Sequence, residues 1–171
     1  FTINKKAKYL SMALMAVGLI ALIFGFVTDY KHSTINPEHH FGTWPALLFN
    51  TYFYLGISVF AVFFVAMQYV AEAGWSIVLK RVPEAIMAAL PVFSIIMLFI
   101  VFASIMHWNH IYHWLHEGIM DPASKHYDRI IAGKEPYLNA TFFIVRTIIY
   151  LLIWNYFAKK LRRLSILEDA N

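Results

Sequence analysis

Cysteine is absent from this 171-residue chain. Its absence excludes protein-ligated iron–sulfur clusters, covalently attached c-type haem, zinc–thiolate sites and a cysteine nucleophile within the chain. Charge is also scarce. Asp, Glu, Lys and Arg make up 14% of the residues, against about a quarter in a soluble domain. Apolar residues supply 60% and aromatic residues 18%, and the mean hydropathy is +0.59. Such a balance rules against a soluble globular enzyme and a disordered chain. It fits a polytopic membrane protein, whose outward faces meet lipid. The net charge of +4 does not indicate nucleic acid, because membrane proteins gather Lys and Arg in their cytoplasmic loops.

Four stretches are nearly free of charge. Tyr9–Val27, Trp44–Val70 and Ala85–Met106 contain no charged residue, and Leu138–Ala158 contains one, Arg146. About 20 helical residues cross a hydrocarbon core of about 30 Å, so each is long enough. Runs such as Phe93–Phe99 do not alternate with period two, as the strands of a membrane barrel would. The expectation is an all-α fold with four transmembrane helices. Pro91 predicts a kink inside the third, and Ala21-x-x-x-Gly25 allows close helix approach. Lys5, Lys6, Lys8, Lys80, Arg81, Lys159, Lys160, Arg162 and Arg163 fall on one side of these spans. Lys31, Lys125, Arg129 and Lys134 fall on the other. The positive-inside rule then places both termini of the segment in the cytoplasm and the loop 107–137 outside.

Candidate chemistry sits at the span ends and at one point within a span. Arg146 lies near the middle of the fourth run, where an arginine costs about 2.5–3.5 kcal/mol on insertion scales. It is a candidate to hold a quinone carbonyl, a lipid phosphate or a carboxylate, and equally to snorkel along its helix. His107, His110, His113 and His116 recur every third residue where the third span ends. On a helix that spacing drifts by about 60° a step, which spreads the rings and does not build a metal site. An interfacial belt with Trp108, Tyr112 and Trp114 is one reading. Proton handling by His107 and His110, the deepest two, is the other. Asp121 and Asp128 in the exterior loop, and Glu72 at the inner edge beside Gln68 and Trp75, are further candidates for a proton path or plain loop and interface acids.

Three peptides carry a resemblance: Gln68-Tyr69-Val70-Ala71-Glu72-Ala73-Gly74-Trp75-Ser76, Arg81-Val82-Pro83-Glu84, and the run from Tyr127 to Asn139. They resemble alternative complex III, a bacterial quinol:acceptor oxidoreductase, and within it the second of two large NrfD-like (polysulfide-reductase-like) membrane subunits. The likeness runs from about Trp44 to the C-terminal end. It implies an NrfD-like four-helix bundle in the bacterial inner membrane that supports oxidation of menaquinol or ubiquinol, proton translocation, or both. It implies partners: the NrfD-like paralogue, an iron–sulfur subunit and c-type cytochrome subunits. Those partners carry the haem c and iron–sulfur clusters, this chain itself holding no cofactor. The family's subunit is much longer, so the four spans are expected to be an N-terminal portion. The alternative is a membrane scaffold that binds lipid and anchors the haem and iron–sulfur subunits, without a quinol or proton role of its own.

Overall fold

The computed structural model describes residues 5–35, 42–109 and 111–169. Every regular element among them is helical. The helices are α1 (Lys5–Ile35), α2 (Thr43–Val70), α3 (Arg81–Met87), α4 (Leu90–Ile105), α5 (Arg129–Ala132) and α6 (Ala140–Asp169). Four segments are long and apolar enough to cross a membrane: Lys5–Asp29, Thr43–Val70, Arg81–Ile105 and Ala140–Asp169. The protein is therefore an all-helical protein with the character of a multi-pass membrane protein. The helices outrun the charge-free stretches because Lys and Arg are good helix formers whose stems lie along an apolar surface. Lys159, Lys160, Arg162 and Arg163 continue α6 well beyond Ala158.

The third span divides into α3 and α4 at Ala88 and Ala89, just ahead of Pro91. Pro91 has no N–H to give Met87, and its ring crowds that carbonyl. The ladder accordingly tightens one turn earlier. Ala89 N–H bonds to Ile86 O and Val92 N–H to Ala89 O, each three residues back. Pro91 then sits in the first turn of α4, where a missing donor costs little.

The chain divides into two compact units, 1–47 and 48–171. In the first, Gly25 meets Thr43 so closely that a Cβ there would lie 2.4 Å from Thr43 Oγ1. Phe26 packs edge-on against Trp44, centroids 4.9 Å apart. The Asp29 carboxylate accepts the Thr43 N–H, capping the positive end of α2.

In the second unit the core gathers Leu55, Ala61 and Val62 of α2, Met87 of α3, Leu90, Met97 and Val101 of α4, and Leu151 and Ala158 of α6. Three buried serines bond back to their own helices. Ser58, Ser94 and Ser104 donate to the carbonyls of Tyr54, Leu90 and Ile100 at 2.8–2.9 Å. Asn155 Nδ2 of α6 donates to Ser94 Oγ of α4 at 2.8 Å, a cross-helix bond of the kind that holds membrane helices together. None of α1's most apolar window is buried, and only 6% of α6's. Those faces are left to lipid or to further protein.

Candidate functional site

Chemistry-bearing side chains collect at the two ends of the second unit. At one end the loop after α4 returns the chain to α6. Asn139 starts α6 by accepting the Phe142 N–H on Oδ1 at 2.7 Å, while its Nδ2 donates to the Glu135 and Pro136 carbonyls. This N-cap fixes where the helix begins, and so puts Arg146 in the second turn. α6 is 30 residues long, and Arg146 lies near its start.

Helical side chains lean toward the N-terminus and cover the preceding turn. Arg146 does so over Phe142 and Phe143, four and three residues back, with its guanidinium carbon 5.3 and 5.7 Å from their ring centroids. It ends 4.0 Å from the centroid of Tyr137. Edge contacts extend the aromatic wall, since Phe143 packs against Tyr112 at 5.3 Å and Trp114 at 5.4 Å. The π faces stabilise the cation but accept no directed hydrogen bond from its edge. Arg146 Nη1 is shut off from solvent and donates to nothing. Burial pushes the Tyr112 phenol above its ordinary pKa of 10.0, so at neutral pH it stays protonated. The ensemble offers flat apolar walls and one unspent cationic donor, which suits a planar apolar ligand that carries an oxygen acceptor.

His107 closes α4. Its φ of 56° is left-handed; its N–H bonds to Ser104 O, and the Trp108 N–H reaches Ala103 O at 2.9 Å. This is the Schellman arrangement, in which glycine is the usual residue. Trp108 folds back edge-on to Phe102, the apolar contact that accompanies it. Buried Asn109 follows, its Oδ1 accepting the Ser104 hydroxyl at 2.8 Å. His110 lies outside the described residues.

The loop acids hold the loop. Asp121 Oδ1 accepts the Ala123 N–H at 2.9 Å. Asp128 Oδ1 caps α5 through the N–H groups of Ile130 and Ile131 at 2.8 and 3.3 Å. The loop closes with Asp128 N–H on Ile119 O, beneath a buried Ile119. Gly118, with φ +79°, is needed at this turn, since a Cβ would lie 2.5 Å from Ser124 Oγ.

At the other end α2 finishes with the same device. Glu72, φ 47°, takes the left-handed position; its N–H reaches Tyr69 O, and the Ala73 N–H reaches Gln68 O. Beside it runs a chain of charges. The Tyr69 hydroxyl donates to Glu168 at 3.0 Å. Lys80 bridges Glu168 and Asp169 at 3.5 and 3.1 Å. Arg81 pairs with Asp169 and with buried Glu84, the latter at 2.7 Å. Gln68 Nε2 and Glu84 Oε1 are buried without a hydrogen-bond partner. A cavity of about 260 Å³ opens here. Glu72 lines it beside Gln68, as expected from their spacing, whereas nothing local announces that α6 carries Glu168 and Asp169 back to Lys80.

The candidates thus split between the ends. Arg146, His107, Asp121 and Asp128 belong to one and Glu72 to the other, and no hydrogen bond or ion pair joins any two of these five. Among the described residues no group of three or more His, Asp or Glu is arranged to hold a metal ion. No protein-family model matches the chain, and no curated protein matches it either.

Proposed function

We propose that the chain is a membrane subunit of a respiratory quinol:acceptor oxidoreductase of the alternative complex III kind, and that it receives the quinol ring at the Arg146 end of α6. The observation that carries this reading is the buried, unspent Nη1 of Arg146 within the wall of Tyr137, Phe142 and Phe143. A hydroquinone or quinone is planar and apolar, with an oxygen at each end of its ring. Arg146 donates to one oxygen, and the aromatic wall flanks the ring.

Oxidation of the quinol releases two protons and two electrons. Haem c and iron–sulfur centres on partner subunits would take the electrons; this chain has no cysteine to hold such centres. His107 and the neighbouring His110 are the proton acceptors, with Asp121 and Asp128 at the rim. The distribution of Lys and Arg supports an orientation with this end on the outer side and both termini of the segment in the cytoplasm, and the complex proposed belongs to the bacterial inner membrane. Glu72 then stands at the inner side, where protons would enter. The peptides around Gln68, Arg81 and Tyr127 support the same assignment.

The test is purification from the native membrane in mild detergent. Haem-bearing and iron–sulfur subunits should accompany the chain, and added quinol should reduce the haem bands. A chain that purifies alone and without haem absorbance contradicts the proposal. The scaffold reading draws on the open faces of α1 and α6. It is separated by substitution of Arg146, which on that reading changes the yield of assembled complex but not turnover per complex.

A further inference from the structure

We infer that the cavity at the end of α2 is a headgroup site for an aminophospholipid of the phosphatidylethanolamine class. The argument stands apart from the quinol reading and rests on what the cavity leaves unmet. Its walls include Val65, Gln68, Glu72, Ile77, Lys80 and Glu168. A water occupies about 30 Å³ of liquid, so about 260 Å³ admits a polar group of many atoms.

Gln68 is only 7% exposed, and its Nε2 donates to nothing. A buried donor without an acceptor costs about 1–3 kcal/mol, which a ligand oxygen would recover. Across the same cavity Glu72, exposed to solvent, has no ion pair or side-chain hydrogen bond among the described residues and is open to a cationic group. Glu168, also in the wall, is already shared between Tyr69 and Lys80. The site therefore asks for an acceptor and a cationic donor a short distance apart.

A simple anion would meet Gln68 and Lys80 but face two carboxylates. A simple cation would satisfy Glu72 and leave Gln68 unmet. Choline has no N–H to give. Phosphoethanolamine carries both groups: its phosphate oxygens suit Gln68 Nε2 and the Lys80 ammonium, and its –NH₃⁺ suits Glu72. The surroundings fit a lipid and not a soluble ligand. The cavity lies at the end of a span, and the 3₁₀ turn Gly74–Val78 beside it exposes Trp75, Ile77 and Val78 at 67%, 65% and 85%. These side chains suit the glycerol and upper acyl region.

The experiment uses the protein with whatever subunits accompany it, purified in mild detergent, stripped of lipid and then titrated. The probes are phosphatidylethanolamine, phosphatidylcholine and phosphatidylglycerol of identical acyl chains. Retained lipid is read by native mass spectrometry, and stability by the thermal midpoint. Phosphatidylethanolamine is expected to be retained at least about tenfold more tightly than the other two, and to raise the midpoint most. Gln68→Leu removes a donor that has no partner to lose, so it should fold normally and lose about tenfold of that preference. Glu72→Gln should lose a similar amount. Equal retention of the three lipids by the unaltered protein overturns the assignment, as does a preference that survives both substitutions.

Discussion

The two ends of the helical bundle treat positive charge in opposite ways. At the α6 start a single arginine rests on aromatic faces with an unspent donor. At the α2 and α6 finish, Lys80 and Arg81 are consumed by Glu168, Asp169 and Glu84. A cation shared with carboxylates offers a ligand less than an unpaired one does, and where such pairs meet solvent they contribute only about 0.2–1 kcal/mol each. A cation held by rings is stabilised by up to about 2 kcal/mol when desolvated and keeps its hydrogen-bonding edge. The first arrangement ties helices together, and the second can receive an oxygen. Both ends share one backbone device, a left-handed residue closing a helix. In each case it is an ionisable side chain where glycine would be less strained.

The largest effect should come from Arg146. In an assembled complex, Arg146→Ala is expected to lower quinol-driven reduction of the acceptor roughly 10- to 100-fold, the loss of one charged hydrogen bond at about 1.4–2.8 kcal/mol. Arg146→Lys keeps the charge but not the planar stack and should fall between. Turnover per complex that matches the parent in both variants would erase the contrast between the ends.

Next come the two helix closures. Glu72→Gly and His107→Gly should each stabilise the fold by about 1 kcal/mol, because glycine removes the Cβ conflict of the left-handed region. Denaturation midpoints of the two variants compare the ends directly. If one gains and the other loses, the losing side chain has a stabilising contact that its φ alone does not reveal.

The charge chain should yield less. Lys80→Ala is expected to lower stability by under about 1 kcal/mol in low salt, with the difference shrinking at 1 M salt as screening sets in. A loss that persists at high salt would mean that the pairs with Glu168 and Asp169 act as a buried network.

The smallest effect concerns Tyr112. Its raised pKa means that the native segment favours the protonated phenol. That contribution is complete below about pH 10 and is lost as pH climbs through the folded-state value. Trp114, whose ring lies 6.2 Å away, reports on it by fluorescence. Tyr112→Phe should retain the native signal to higher pH than the parent, and identical alkaline transitions would remove Tyr112 from the packed wall.

Much of the fold was legible because lipid imposes a blunt rule: runs without charge become spans, and each of the four runs falls largely in helix. Helix ends were less legible, since Lys159, Lys160, Arg162 and Arg163 read as a flank yet continue α6. Arg146, central in the charge-free run, stands in the second turn of α6 because the cap at Asn139 sets where the helix starts. Pro91 announced a disturbance, and the structure shows it as a tightened turn at Ala88 and Ala89 between α3 and α4. At the site, the spacing of Phe142 and Phe143 from Arg146 already implied a shared face, whereas Tyr137 depends on the cap at Asn139. The bond between Tyr69 and Glu168 spans 99 positions, and no local pattern carries that information.

The central claim is that Arg146 gives its free N–H to a quinone oxygen. Infrared difference spectroscopy with quinone labelled at the carbonyl carbon, in the assembled complex, reads that bond directly. The account predicts a bound carbonyl band shifted to lower frequency than in apolar solvent, returning toward the solvent position in Arg146→Ala. A bound quinone whose carbonyl band is the same in both proteins would contradict it.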